Sequence, residues 1–408
     1  MEQIDRLCLS DRWKQLIQLI RNSLDIDSAK IDITPEDCEE LYTEAVRHSI
    51  EAFLYKGLRK NMHESFMNCD AVKKWRNRAV LASLSSEIML SVIPQILNDI
   101  RIENIDIMVV KGYYIRDMYP FPAARTMGDV DLVIRNKDDI EKVEAILTRY
   151  GYEKVQYDEN MHVSFTHSRY VGIEVHYALV PDAKRLKAGL INQDIWDKVQ
   201  TVSKNGCTYF VPSVINHILY CCIHMTNHYF SSGFGLRQVI DFYLLVKNAG
   251  LDDTDELVRS AERYGIGPFT EAMLYLCHLL FDLNVSPELA ERQKGNIDYY
   301  RIFIKEIMLS GTFGANSMQL RNAKKLFNHM GNRQPYKRNY LGLLFPPLNY
   351  IKRHYNYAAK AAILVPVAYV HRLIRNLLKR DIGFREKLAK DILIDEHIQL
   401  TLFLSVSE

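Results

Sequence analysis

The chain has no Cys-x-x-Cys pair and only seven scattered cysteines among 408 residues, an odd number. That excludes a zinc ribbon and a disulfide frame, and it fits a reducing compartment with free thiols. Charge of one sign is also missing. Lys plus Arg number 52 against 50 Asp plus Glu, a net charge of +2. Such balance argues against non-specific nucleic-acid binding over the whole surface. Proline and glycine are modest, at 12 and 18, which rules out a collagen-like chain. No internal repeat and no low-complexity segment occurs. The N-terminal run MEQIDRLCLSDRWKQ has no apolar core of signal-peptide length. The apolar run at 361–370, AAILVPVAYV, is too short to span a bilayer and is broken by Pro366. The expectation from these absences is a cytoplasmic protein without a transmembrane segment.

What is present is ordinary globular material, 48% hydrophobic, 25% charged and 11% aromatic, with 24 tyrosines. The length allows two or three domains, or one domain with large additions. Residues 1–104 read as a helical region. Residues 36–60 carry Leu41, Ala45, Ile50, Phe53 and Leu54 at helical intervals, and 71–101 form a second long helical candidate. At 105 the texture changes. IDIMVV at 105–110 reads as a buried strand, and a second strand starts near Val130. A helix opens at Lys137-Asp138-Asp139 and stops at Tyr150-Gly151. Strand-like pieces follow at 161–166 and 171–177. This predicts an α+β fold, with a mixed sheet core at 105–205 between helical regions at 1–104 and 206–408. Residues 333–390 are basic, with 13 Lys and Arg against two acids and interleaved tyrosines such as Tyr336, Tyr350 and Tyr369. A solvated helix face, an anionic surface and phosphate-bearing substrate approach all suit that segment.

The chemistry concentrates in VVKGYYIRDMYPFPAARTMGDVDLVI, residues 109–134. Asp129 and Asp131 are two apart on a strand, so alternation puts both on one face. Their Cα atoms then lie roughly 6.5–7 Å apart. Two like charges at that spacing need a counter-cation, and Mg²⁺ supplies one while holding phosphate oxygens. A solvated turn at Gly128-Asp129 is the plainer alternative. Upstream, Lys111-Gly112 joins a strand to a helix, where glycine admits a close ligand and a helix N-terminus offers N–H groups to a phosphate. Lys111 and Arg125 add positive charge. Glu174 and His176 again share a strand face. Glu174 is a metal ligand or general base, or else a solvent-facing acid. His176 is a site residue or a core histidine. Arg116 is expected on the solvated face of the helix.

This order of motifs resembles the nucleotidyltransferase fold of the DNA polymerase β superfamily. In that superfamily a Gly-Ser turn precedes Asp-h-Asp, and a third carboxylate completes a two-metal site. The sequence is more similar to the bacterial family usually labelled uncharacterised nucleotidyltransferase, with its Lys-Gly turn, Tyr-Pro, Arg, Asp-x-Asp-Leu, Gly-Tyr and acid-x-His. Here these are Lys111-Gly112, Tyr119-Pro120, Arg125, Asp129-Val130-Asp131-Leu132, Gly151-Tyr152 and Glu174-Val175-His176. His217, His224, His228 and Gly235–Asp241 resemble the helical part of the same family, and the resemblance covers roughly 105–380. Tyr113 stands where the wider superfamily has serine. The resemblance implies Asp129, Asp131 and Glu174 as catalytic metal ligands, with two Mg²⁺ ions in that superfamily's pattern. It implies Lys111, Gly112, Arg125 and His176 as nucleotide-binding residues. An NTP would be substrate and an unidentified hydroxyl-bearing small molecule, sugar or lipid precursor, peptide or protein the acceptor. The alternative is a catalytically silent, antitoxin-like nucleotide-binding module on the same scaffold.

Two helical features stay open in the sequence. His217, Cys221, His224 and His228 lie along one helical face. A single straight helix cannot wrap four ligands around one tetrahedral zinc, so a polar seam is expected. Arg237 and Asp241 are i, i+4, which suits a helix-surface pair or a buried pair that orients the cleft.

Overall fold

The computed structural model describes residues 2–27, 31, 33–61, 68–158, 161–180, 189–251 and 253–312, with a few single positions up to Leu404. The basic 333–390 segment lies outside the described residues, Val365 apart. Residues 2–312 of the described set belong to one compact unit with Leu400, Phe403 and Leu404.

A seven-stranded mixed sheet organises this unit. The strands are β1 (Ile107–Val110), β2 (Asp129–Ile134), β3 (Glu153–Asp158), β4 (His162–Thr166), β5 (Gly172–His176), β6 (Gln200–Lys204) and β7 (Cys207–Val211). Their spatial order is β3-β4-β5-β2-β1-β7-β6. β1 runs antiparallel to β2, while β2 and β5 are parallel neighbours. The α+β expectation holds. The β6–β7 hairpin and β3 are strands that the sequence reading did not include. The hairpin turns at Asn205-Gly206, both at positive φ (51° and 74°).

Strand alternation divides the interior in two. Ile107, Val109, Val130, Leu132, Ile173 and Val175 enter one apolar cluster, which the Ile93–Ile102 and Ile140–Arg149 helices cover. Met108, Val110 and Val133 point the other way, into a larger cluster shared with the C-terminal helices. Asp129, Asp131, Glu174 and His176 therefore sit on the second face, by the same period of two that buries their neighbours.

The helices start and stop for local reasons. The expected 36–60 helix is two helices, Pro35–Arg47 and Glu51–Asn61. Thr34 and Asp37 form a capping box at the start of the first, and Ser49 at φ 53° breaks the run. All five residues expected on its face are buried. The 71–101 candidate is also two helices, Asp70–Leu90 and Ile93–Ile102, joined at Ser91-Val92. By length and composition alone the Asp70–Ile102 stretch is apolar enough to cross a membrane. In the fold, Ile93, Ile96, Leu97 and Ile100 spend that apolarity under the sheet, fully buried. Ser213 caps the Val214–Ser231 helix by accepting from Asn216 N. Gly235 precedes the Leu236–Ala249 helix at a point of close approach. A Cβ there would meet Gly311 C at 2.7 Å and His48 Nδ1 at 2.8 Å.

Candidate active site

The parallel register of β2 and β5 sets Asp131 directly opposite Glu174 and Val133 opposite His176. Side chains from these positions converge. His176 Nε2 lies 3.1 Å from Asp131 Oδ1 and 3.3 Å from Glu174 Oε2. Both partners are carboxylates, so Nε2 carries the proton and donates. One oxygen or nitrogen from each of Asp131, Glu174 and His176 lies within 4.8 Å of the others. Asp129 lines the same cavity, one pleat away, and is open to it. The cavity has a volume of about 330 Å³. A larger cleft of about 950 Å³ lies beside Asn98, Arg101 and Thr208 and holds none of these groups.

The electrostatics separate the two aspartates. Burial alone would raise Asp131, but the Lys111 ammonium and His176 outweigh it and hold its carboxyl far below the usual range. Asp129 goes the other way. Surrounding protein raises it, and the neighbouring charges of Asp131 and Glu174 raise it further. Glu174 is lowered mainly by its hydrogen bond from His176, against burial. Burial lowers His176, yet its bonds to Asp131 and Glu174 reverse that and favour the imidazolium.

Lys111 sits at the hinge of the site. Its backbone has φ 53° and ψ −132°, a region that non-glycine residues enter at a cost of ~1–3 kcal/mol. The strain is held by two contacts. The Lys111 N–H donates to His217 Nε2 at 2.9 Å, and Nζ donates to Asp131 Oδ1 at 2.7 Å. Nζ also lies 5.5 Å from the centre of the Tyr220 ring. Burial would deprotonate Lys111, but Asp131 overrides it and keeps the ammonium. The helix after it, Gly112–Ile115, is a single turn of four residues. Gly112 leaves room for the Arg125 side chain: a Cβ there would meet Arg125 Nη2 at 3.1 Å. Tyr113, at the superfamily's serine position, turns away from the cavity into the apolar cluster and meets the Tyr209 ring.

Arg125 lines the cavity but is tied down. Its Nε and Nη2 donate to Asp241 Oδ1 and Oδ2 at 3.0 and 2.6 Å, and Nη1 donates to the Thr126 carbonyl at 2.7 Å. Tyr119 OH donates to Asp241 Oδ1 at 2.6 Å. The partner of Asp241 is thus Arg125, and the i, i+4 pairing with Arg237 does not form. Arg116 departs from the expected solvated face as well. It is buried and ion-paired with Glu87.

The Val214–Ser231 helix roofs the site. His217 is pushed down to about 3 by burial and then by Lys111, so it stays neutral as an acceptor. His224 and His228 reach the cavity with Nε2 atoms 3.2 Å apart. Burial depresses both, helped by Lys111, so they meet as neutral rings sharing one proton. This is the polar seam expected from their spacing.

Residues 34–282 match the family model described as uncharacterised nucleotidyltransferase. The chain belongs to that family. The matched span of this nucleotidyltransferase-family chain takes in the sheet and helices on both sides of it, and every cavity residue named above. No curated protein matches the chain. Among solved structures, the chain is similar to an antigenic nucleotidyltransferase-like protein from Paracoccidioides brasiliensis. That likeness has 15% identity and a TM-score of 0.33, and covers 49% of this chain and 95% of the other.

Proposed function

We propose that the chain transfers a nucleoside monophosphate from an NTP to a hydroxyl-bearing acceptor, with release of pyrophosphate. The observation that carries this reading is the facing of Asp131 and Glu174 across parallel strands, with Asp129 in the same cavity. The donor set fits a hard divalent cation. It offers three carboxylates, one of them raised by the surrounding protein and then by its like-charged neighbours. Asp129, Asp131 and Glu174 would hold Mg²⁺, two ions in the fullest form. Bound there, Mg²⁺ would supply charge neutralisation for a triphosphate and lower the barrier to ionising an acceptor hydroxyl.

The chain's own residues do the rest. Asp131 stays ionised at neutral pH because Lys111 and His176 stabilise it. His176 fixes the Asp131 and Glu174 carboxylates relative to one another through one N–H. Gly112 lines the cavity where phosphates would rest, while Lys111 beside it is committed to Asp131 and His217. Arg125 holds the loop before Asp129 against the Leu236–Ala249 helix through Asp241.

The test is calorimetry of each NTP with Mg²⁺, followed by pyrophosphate release across pools of small-molecule, peptide and protein acceptors. Asp129→Asn and Asp131→Asn are expected to abolish release while the chain stays folded. Full turnover in either variant would overturn the mechanism. Metal-dependent NTP binding with no release from any pool would instead favour a silent nucleotide-binding module.

A further inference from the structure

The two cations that the sequence nominates for phosphate are already engaged. Lys111 Nζ is bonded to Asp131, and all three Arg125 nitrogens have acceptors. A third cation faces the same cavity without a partner among the described residues. Arg237 is the second residue of the Leu236–Ala249 helix and lines the cavity. Its Nε is buried with no hydrogen-bond acceptor. Among the described residues no carboxylate forms an ion pair with it. Asp241, one turn along, has both oxygens occupied by Arg125 and Tyr119. Glu51 is close enough to feel its charge but makes no bond to it.

A half-buried cation with a buried, unbonded Nε is costly unless an anion meets it. Burial and the nearby Arg125 guanidinium push Arg237 down to about 10, so it remains charged at neutral pH. A second unsatisfied group lines the cavity, on a residue whose carbonyl accepts from Gln238, the neighbour of Arg237. Thr312 Oγ1 is buried with no partner among the described residues. The backbone of the helix start does not fill this gap. Gly235 N donates to Gln238 Oε1 and Leu236 N to His48 Nδ1. The positive element presented there is the side chain.

We propose that Arg237 binds the β- and γ-phosphate oxygens of the incoming NTP, in the cavity it shares with Asp129, Asp131 and Glu174. This rests on the nucleotidyl-transfer reading above. A guanidinium suits the role because its fork offers two parallel donors to phosphate oxygens. The reacting α-phosphate would then lie toward the carboxylates, and the leaving pyrophosphate toward Arg237.

The experiment is calorimetry on the full chain with Mg²⁺, using each of the four NTPs, the matching NMPs and inorganic tripolyphosphate. Arg237→Gln is expected to weaken NTP and tripolyphosphate binding about 10- to 100-fold and to leave NMP binding unchanged. Arg237→Lys should retain part of the affinity. The unfolding temperature of Arg237→Gln should equal or exceed that of the wild type, because an unpaired, half-buried charge is removed. A purely structural arginine would lower it. Wild-type NTP binding that survives Arg237→Gln overturns the assignment and leaves the transfer reading standing. Equal loss of NTP and NMP binding overturns it too. Absence of NTP binding by the wild type overturns both.

Discussion

Arg125 and Asp241, 116 residues apart, are joined by two hydrogen bonds of 3.0 and 2.6 Å inside the protein. Their side chains are 7% and 12% exposed, so solvent screens the pair little. The bond ties the loop that leads into β2 to a helix of the C-terminal layer. Position and charge of the candidate site therefore depend on a contact outside the sheet.

Asp241→Leu should destabilise the chain by about 3–5 kcal/mol, because Arg125 would stay buried without its carboxylate. Arg125→Met with Asp241→Leu should cost clearly less than the two single changes together, since no charge is then stranded. Urea unfolding of the four proteins checks this. Additive losses would show that the pair is not coupled.

Lys111 neutralises Asp131 from inside the protein. Lys111→Met should lower the unfolding temperature in metal-free buffer, a loss of about 3 kcal/mol for one partner of a buried pair. Millimolar Mg²⁺ or Mn²⁺ should restore more stability to the variant than it adds to the wild type, because a cation at the carboxylates replaces the missing ammonium. Thermal unfolding with and without metal measures the difference. An equal metal response in both proteins would contradict the cation reading of these acids.

His48 links the helix start at Leu236 to the N-terminal helices, accepting from Leu236 N at 3.1 Å. Burial, then Arg47, pushes it down to about 3, whereas an unfolded histidine titrates near ~6.5. Between those values the unfolded chain binds the extra proton. Stability is thus complete above about pH 6.5 and is lost as pH falls toward 3. His48 should account for roughly 1.5 kcal/mol lost between pH 6.5 and 5. His217, pushed down in the same way, adds a similar slope. His48→Asn keeps an acceptor for Leu236 N and removes the titration, so its stability should fall less steeply on acidification. Unfolding free energies at several pH values compare the two slopes, and parallel curves would refute the assignment.

Much of the site was legible because strand alternation is a local signal. Asp129, Asp131, Glu174 and His176 share a face since each has apolar neighbours at odd spacing. The fold class followed from the same pattern. The β6–β7 hairpin was missed although Asn205-Gly206 announces a tight turn. Gln200–Lys204 is an exposed, polar edge strand, so no apolar run marks it. The break at Ser49 falls where no proline or glycine stands, whereas the one at Ser91-Val92 is marked by Pro94, the second residue of the next helix. Arg116 and Asp241 resisted reading for another reason. Their partners, Glu87 and Arg125, are distant in sequence, and helical spacing pointed instead to Arg237. Local periodicity says which way a side chain points, and only the packed chain says what it finds there.

The hydrogen bond from Lys111 N to His217, beside the Arg125–Asp241 pair, has a practical consequence for dissecting this protein. An excised 105–205 fragment would carry the carboxylates and the Lys-Gly turn. It would lack the imidazole that accepts the strained Lys111 amide and the acid that neutralises Arg125. Such a fragment should aggregate or stay loosely folded, whatever its sequence motifs suggest. Heterologous expression, domain grafting and any search for activity should therefore keep the chain continuous from the first helices through at least Thr312.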